Sequence, residues 1–137
     1  VHVDGEALVR SWFAQLPQLS DAGFAAFVAE DVVNHPAPPQ LREGRDAFRR
    51  VLLYVRRSAP DQTYTVEEVV TQGALVVARV RWAGTFTGEY LGVVGNGGRF
   101  DVGQYHTFRI ADGKLAEHWA VRDDLSVFRQ AGVQPPA

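Results

Sequence analysis

The chain contains no cysteine, so disulfides, thiolate catalysis and Cys-ligated zinc are excluded from the outset. Methionine is absent as well, even at position 1, and the chain is therefore expected to lack its initiator residue. There is no excess of basic charge: 14 Lys and Arg face 16 Asp and Glu, a net charge of −2 without a basic block. Nucleic acid and membrane surfaces are not expected partners. No apolar run is long enough to span a bilayer, and the first residues lack a signal peptide's apolar stretch. The expectation is a cytoplasmic protein.

What is present is ordinary globular composition, 46% hydrophobic and 22% charged, which argues against disorder. At 137 residues a single core can bury roughly two thirds of the surface that the unfolded chain exposes. No repeat, linker or low-complexity stretch interrupts residues 1–137, which read as one domain.

The first half carries a helical period. Asp4 can cap a segment in which Leu8, Trp12 and Leu16 recur, with Pro17 after it. Ser20 or Asp21 opens a shorter helix presenting Phe24, Phe27 and Val28. Val32-Val33-Asn34-His35 then runs into Pro36, Pro38 and Pro39, a loop. A third, amphipathic helix starts near Gly44, with Val51, Tyr54 and Val55 on one face and Arg45, Arg49, Arg56 and Arg57 on the other.

Beyond Asp61 the period becomes two. Candidate strands cover 63–70, 74–82, 84–91, 99–110 and 115–123, with turns at Gly95-Asn96-Gly97-Gly98 and Ala111-Asp112-Gly113-Lys114. Leu125, Val127 and Phe128 suggest a closing helical turn or two before Gly132. Helices first and antiparallel strands after them make an α+β fold, a curved antiparallel sheet wrapped around helices.

Polar residues that break the alternation mark the candidate site. Phe100, Val102, Gln104, His106, Phe108 and Ile110 share the interior face of one strand. In the next, Leu115, Glu117, Trp119, Val121 and Asp123 share a face, and Ala116, His118, Ala120 and Arg122 take the other. Polar groups on interior faces must satisfy one another or line a cavity. Gln104, His106, Glu117 and Asp123 are thus expected to converge, with an imidazole and a carboxylate forming an acid–base pair. Asp123 has a structural rival role as a helix cap, but Asp124 can cap while Asp123 faces inward. His118 is assigned to the surface or an interface, Glu117 has a structural rival in bonding backbone or an Arg, and Asn34-His35 reads as turn chemistry on its own. No phosphate loop, nucleophile elbow or metal-ligand spacing is present, so a cofactor-free, metal-free site is expected.

Several segments together are similar to a known family. Asn34-His35, Pro60-Asp61, Trp82-Ala83-Gly84-Thr85-Phe86-Thr87-Gly88-Glu89-Tyr90-Leu91-Gly92, Gly113-Lys114-Leu115-Ala116-Glu117-His118-Trp119, Asp123 and Phe128-Arg129-Gln130-Ala131-Gly132 resemble the SnoaL-like polyketide cyclases. The resemblance implies a nuclear-transport-factor-2-like (cystatin-like) cone around one deep pocket, often dimeric through the outer sheet face. It implies an intramolecular aldol condensation that closes a polyketide ring without cofactor or metal. A pocket Asp acts as acid–base there, helped by a His and an Asn, which transfers to Asp123, His106 beside Gln104, and Asn34. The expected substrate is a hydrophobic, ketone-bearing small molecule from secondary metabolism such as antibiotic biosynthesis. Tyr54, Trp82, Phe86, Tyr90 and Trp119, with Trp12 and Phe27, are candidates for its apolar wall, and His35 and Glu117 for contacts. The alternatives are a non-catalytic ligand-binding cone, or an isomerase, dehydratase or epoxide-opening enzyme using the same pocket. A homodimer is expected through the half-apolar outer face carrying Leu75, Val77, Arg79, Tyr105 and Thr107.

Overall fold

A computed structural model describes residues 4–137. Helix α1 (Gly5–Gln15) starts where expected, with the Asp4 carboxylate accepting from the Ala7 N–H at 3.2 Å. Pro17 turns the chain through a short 3₁₀ segment, and Ser20 Oγ caps α2 (Asp21–Phe27) by accepting from the Gly23 N–H at 3.1 Å. Strand β1 (Val28–Asn34) follows directly. The alternation there is masked by Glu30 and Asp31, both exposed, so that only Val28, Val32 and Asn34 mark the buried side. Helix α3 (Arg45–Ser58) begins after Gly44. Its arginines are not simply a solvated face. Arg45 donates to the Val28 carbonyl at 2.9 Å, Arg49 to Asp21 at 2.7 Å and Arg56 to the Leu16 carbonyl at 2.8 Å, which ties α3 across the N-terminal elements.

The remaining elements are β2 (Thr63–Gln72), β3 (Leu75–Phe86), the two-residue strands β4 (Glu89–Tyr90) and β5 (Val93–Val94), β6 (Gly98–Ala111), β7 (Lys114–Arg122) and α4 (Asp124–Ala131). Five strands form one curved sheet in the order β1-β7-β6-β3-β2, and β4 pairs with β5 apart from it. The α+β cone is as expected, with one difference: β1 joins β7 in parallel, so the sheet is mixed. No helix of the described residues is long and apolar enough to cross a membrane.

The β6–β7 hairpin positions the site. Asp112 and Gly113 both have positive φ (51° and 73°), the requirement of a tight type I′ connection. Ile110 then pairs with Leu115 but Arg109 pairs with Glu117, so Ala116 is an extra residue in β7. Such a bulge turns every later side chain to the other face. Leu115 and Ala116 are both buried, and from there His118 points inward at 8% exposure while Trp119 and Val121 are 36% and 76% exposed. Glu117, Trp119 and Asp123, expected inside, therefore lie on the outer side, and His118, expected outside, lies within.

The same shift exchanges the two adjacent acids. Asp123 caps α4, its carboxylate accepting from the Ser126 N–H at 3.3 Å and the Ser126 hydroxyl at 2.7 Å. Asp124 turns toward the interior and accepts from the Tyr90 hydroxyl at 2.7 Å. Asp123→Ala is therefore expected to lower stability by about 1 kcal/mol and to leave any turnover intact. An unchanged urea midpoint, at unchanged m-value, would argue against the cap. At its far end α4 stops at Gly132, whose φ of 80° accommodates the left-handed cap.

Two aromatic clusters fill the cone. One joins Trp12, Phe13, Phe24, Phe48 and Phe108 beneath α1 and α3, and the other joins Trp82, Phe86, Phe100 and Phe128 beneath α4. The space between them is open.

Candidate active site

A cavity of about 860 Å³ occupies that space, of a size suited to a multi-ring small molecule. Its floor is the concave sheet face, where bulge and register bring four polar residues into line. Asn34 pairs in register with His118, and His106 lies one strand further on. The Asn34 side-chain oxygen accepts from His118 Nδ1 at 2.7 Å, His118 Nε2 meets His106 Nδ1 at 2.8 Å, and His106 Nε2 meets the Gln104 side chain at 2.8 Å. The two rings lie nearly parallel, 16° apart, and all four residues are buried.

Proton accounting constrains this chain. If both terminal amides present oxygen to the rings, three hydrogen bonds need three protons on four ring nitrogens. Two neutral imidazoles carry only two. Burial opposes the extra charge: it depresses His106 to about 3, with Arg122 nearby adding to the effect, and it holds His118 well below the ordinary value of 6.5. The pair is therefore neutral. It is fully satisfied when one amide, such as that of Gln104, turns its NH2 toward the ring.

Three further groups face the same space. Tyr64 lines the cavity. Phe13 packs against both the Tyr64 and His106 rings, at centroid distances of 5.4 and 5.0 Å, which puts phenol and imidazole in one part of the cavity. Tyr90 and Arg122 lie beyond, joined through Asp124, with the Arg122 Nε at 3.4 Å from its carboxylate. Burial raises both phenols well above their ordinary range, so each remains a donor at neutral pH.

Of the residues singled out from sequence, Asn34, Gln104, His106, Tyr54, Trp82, Tyr90 and Trp12 line the cavity. Phe86 is instead sealed in the α4-side core at 1% exposure, and Phe27 packs at the edge of the other cluster. Glu117 lies outside, where hydrogen bonds from His35 (2.6 Å) and Arg109 (2.9 Å) hold its carboxyl below the usual range. His35 stacks on Trp119 at 4.8 Å on that same outer side. Asp123 has no part in the cavity, because the bulge commits it to capping. The sequence reading missed His118, Arg122 and Tyr64. The adjacent apolar pair Leu115-Ala116 was the one local sign of a bulge that would have brought the first two inside.

Comparison with known proteins agrees with this architecture. No curated protein matches the sequence. Among solved structures, TsrD from Streptomyces laurentii superposes with a TM-score of 0.85 at 25% identity, covering 97% of this chain and 100% of its own. IdmH from Streptomyces antibioticus, a candidate polyketide cyclase, gives 0.81 at 26% identity over 93% of this chain and 98% of its own. A candidate SnoaL-like polyketide cyclase from Jannaschia sp. gives 0.80 at 23% identity over 95% and 92%, a likeness of fold. The profile of one family spans residues 7–131, from α1 to the end of α4, and thus every element that builds the cavity. The chain belongs to the SnoaL-like polyketide cyclase family.

Proposed function

We propose that the protein is a cofactor-independent acid–base enzyme that cyclises a hydrophobic, ketone-bearing small molecule by intramolecular aldol condensation. The observation that carries this reading is the buried His106–His118 pair at the floor of an apolar cavity. Gln104 holds the outer nitrogen of His106 through a neutral amide, a bond that substrate can displace. His106 Nε2 then takes a proton from the carbon α to a carbonyl, and the Tyr64 hydroxyl donates to the enolate oxygen that forms. The enolate carbon attacks the second carbonyl of the same molecule, a C–C bond forms, and the new alkoxide recovers the proton from His106. Meanwhile the charge on His106 is shared with His118 through the 2.8 Å bond, and Asn34 steadies the far end. This scheme assigns to the histidine pair the base role expected of Asp123.

A binding-only role is the second reading, favoured by the fact that all four ring nitrogens already have protein partners. Incubation with an aromatic polyketide bearing a free β-ketone separates the two. His106→Gln is expected to lower kcat by about 10²–10⁴-fold while retaining binding. Saturable binding with no product from the unaltered protein would leave only the binding role.

A second copy of the chain is the proposed macromolecular partner. Leu75, Tyr105, Trp119 and Val121 leave 40%, 54%, 36% and 76% of their surface exposed on the outer sheet face, a patch suited to an isologous interface. Light scattering is expected to give twice the chain mass, and a monomer mass at all concentrations would reject the dimer.

A further inference from the structure

Among the described residues, the charged ones that line the cavity are Arg42, Arg50, Arg57 and Arg122, with no Asp or Glu. Composition does not explain this, since acids outnumber bases in the chain by 16 to 14. Elsewhere most arginines are matched by a carboxylate, and Arg45 and Arg56 bond backbone carbonyls instead. Arg49 is held by Asp21, Arg81 by Asp101, Arg99 by Asp61 and Arg109 by Glu117, all on outer surfaces. Among the described residues Arg42, Arg50 and Arg57 have no carboxylate within 4.0 Å, and they stand at the cavity's solvent side, each exposed. Further in, Arg122 is the one cation among the described residues. Asp124 touches only its Nε, at a long 3.4 Å, and that carboxylate is already engaged by Tyr90 at 2.7 Å. The two terminal nitrogens of Arg122 have no protein acceptor among the described residues. A guanidinium is a planar fork whose terminal edge fits a carboxylate with two parallel bonds.

We infer that the ligand of this cavity is an aromatic or polycyclic carboxylic acid, which enters as the anion past Arg42, Arg50 and Arg57 and docks its carboxylate on the terminal nitrogens of Arg122. The inference rests on the cavity being the functional site proposed above, and it adds the charge and anchoring group of the substrate. It also gives the acid a part in the chemistry. Arg122 is among the groups that hold both histidines unprotonated, so a bound carboxylate offsets that influence and makes His106 a better base. The substrate thereby prepares the group that deprotonates it.

Anthraquinone-2-carboxylate and its methyl ester form a probe pair that differs in one charge. Titration by fluorescence quenching is expected to show the acid binding at least about tenfold tighter than the ester. Raising the salt from about 20 mM to 200 mM should narrow the gap several-fold, because the rim charges are exposed. Arg122→Gln should remove most of the preference while sparing the ester's affinity, the remainder being the salt-sensitive share of the rim arginines. Arg122→Lys, which keeps the charge and loses the fork, should retain part of it, and it serves if the glutamine variant does not fold. Equal affinity of the two probes, or a preference undiminished by Arg122→Gln, overturns the inference and leaves the cavity reading intact. Binding of neither probe at millimolar concentration overturns both. A failure of the cyclase reading looks different: acid preference persists, but no polyketide is turned over.

Discussion

Acidification from pH 6.5 to pH 5 is expected to remove about 3 kcal/mol of folding stability, well before the carboxylates of the chain protonate. The source is the buried histidine pair. In the unfolded chain each imidazole takes up a proton near 6.5, whereas burial depresses His106 to about 3 and His118 well below its ordinary value. Between the two values the unfolded state binds more protons than the folded state, so stability is full above about pH 6.5 and falls as pH falls. Each histidine withdraws about 1 kcal/mol per pH unit across that window. The lowered carboxyls of Asp61 and Glu117 act in the same direction, but only further into the acid range. Urea midpoints measured at half-unit steps would show the slope, and a variant with both histidines replaced, if it folds, should lose it. A loss of only about 1 kcal/mol over the same window would mean that the pair already holds one extra proton at neutrality, with both terminal amide oxygens facing the rings.

That pair is also where sequence and structure part. The three helices, their caps at Asp4 and Ser20 and the Asp112-Gly113 turn were legible because each depends on local chemistry: a side-chain oxygen near free N–H groups, or a positive φ. The inward faces of β3 and β6 were legible because strict alternation holds along them, and it exposed Gln104 and His106 as polar inliers. Strand β7 was not legible beyond Leu115. A bulge inserts one residue without altering composition, and its consequence is all-or-none: His118 and Arg122 exchange places with Glu117, Trp119 and Asp123. Pairing energies across strands decide it. With Ala116 looped out, Glu117 reaches both Arg109 and His35 on the outer face, and His118 reaches both Asn34 and His106 within. Strand β1 was hidden for a related reason, since its pairing is parallel and with the far end of the sequence, so nothing local announces Asn34 as a neighbour of His118. Tyr64 escaped because β2 is an edge strand with much of its surface in water, where one half-buried tyrosine does not stand out.

Substituting the centre of the polar chain is expected to be more damaging than substituting its end. His118→Leu preserves apolar volume against Phe48 and Phe108, whose rings lie 5.7 and 4.7 Å away. It nevertheless strands two groups at once: the Asn34 side chain on one side and His106 Nδ1 on the other. A buried polar group without a partner costs about 1–3 kcal/mol, so the expected loss at neutral pH is about 3–5 kcal/mol. Gln104→Leu removes the terminal member and strands only His106 Nε2, which borders the cavity and can be met by water. Its expected loss is about 1 kcal/mol. The double variant Asn34→Leu with His118→Leu should recover part of the larger loss, because it leaves one orphan instead of two. The coupling should be about 1–2 kcal/mol in a double-mutant cycle followed by chemical denaturation. Strict additivity, or a His118→Leu loss no greater than that of Gln104→Leu, would mean that the four residues do not act as one chain. The proton-sharing role given to His118 would then fall with it, because charge on His106 can spread only through a bond that the folded protein maintains.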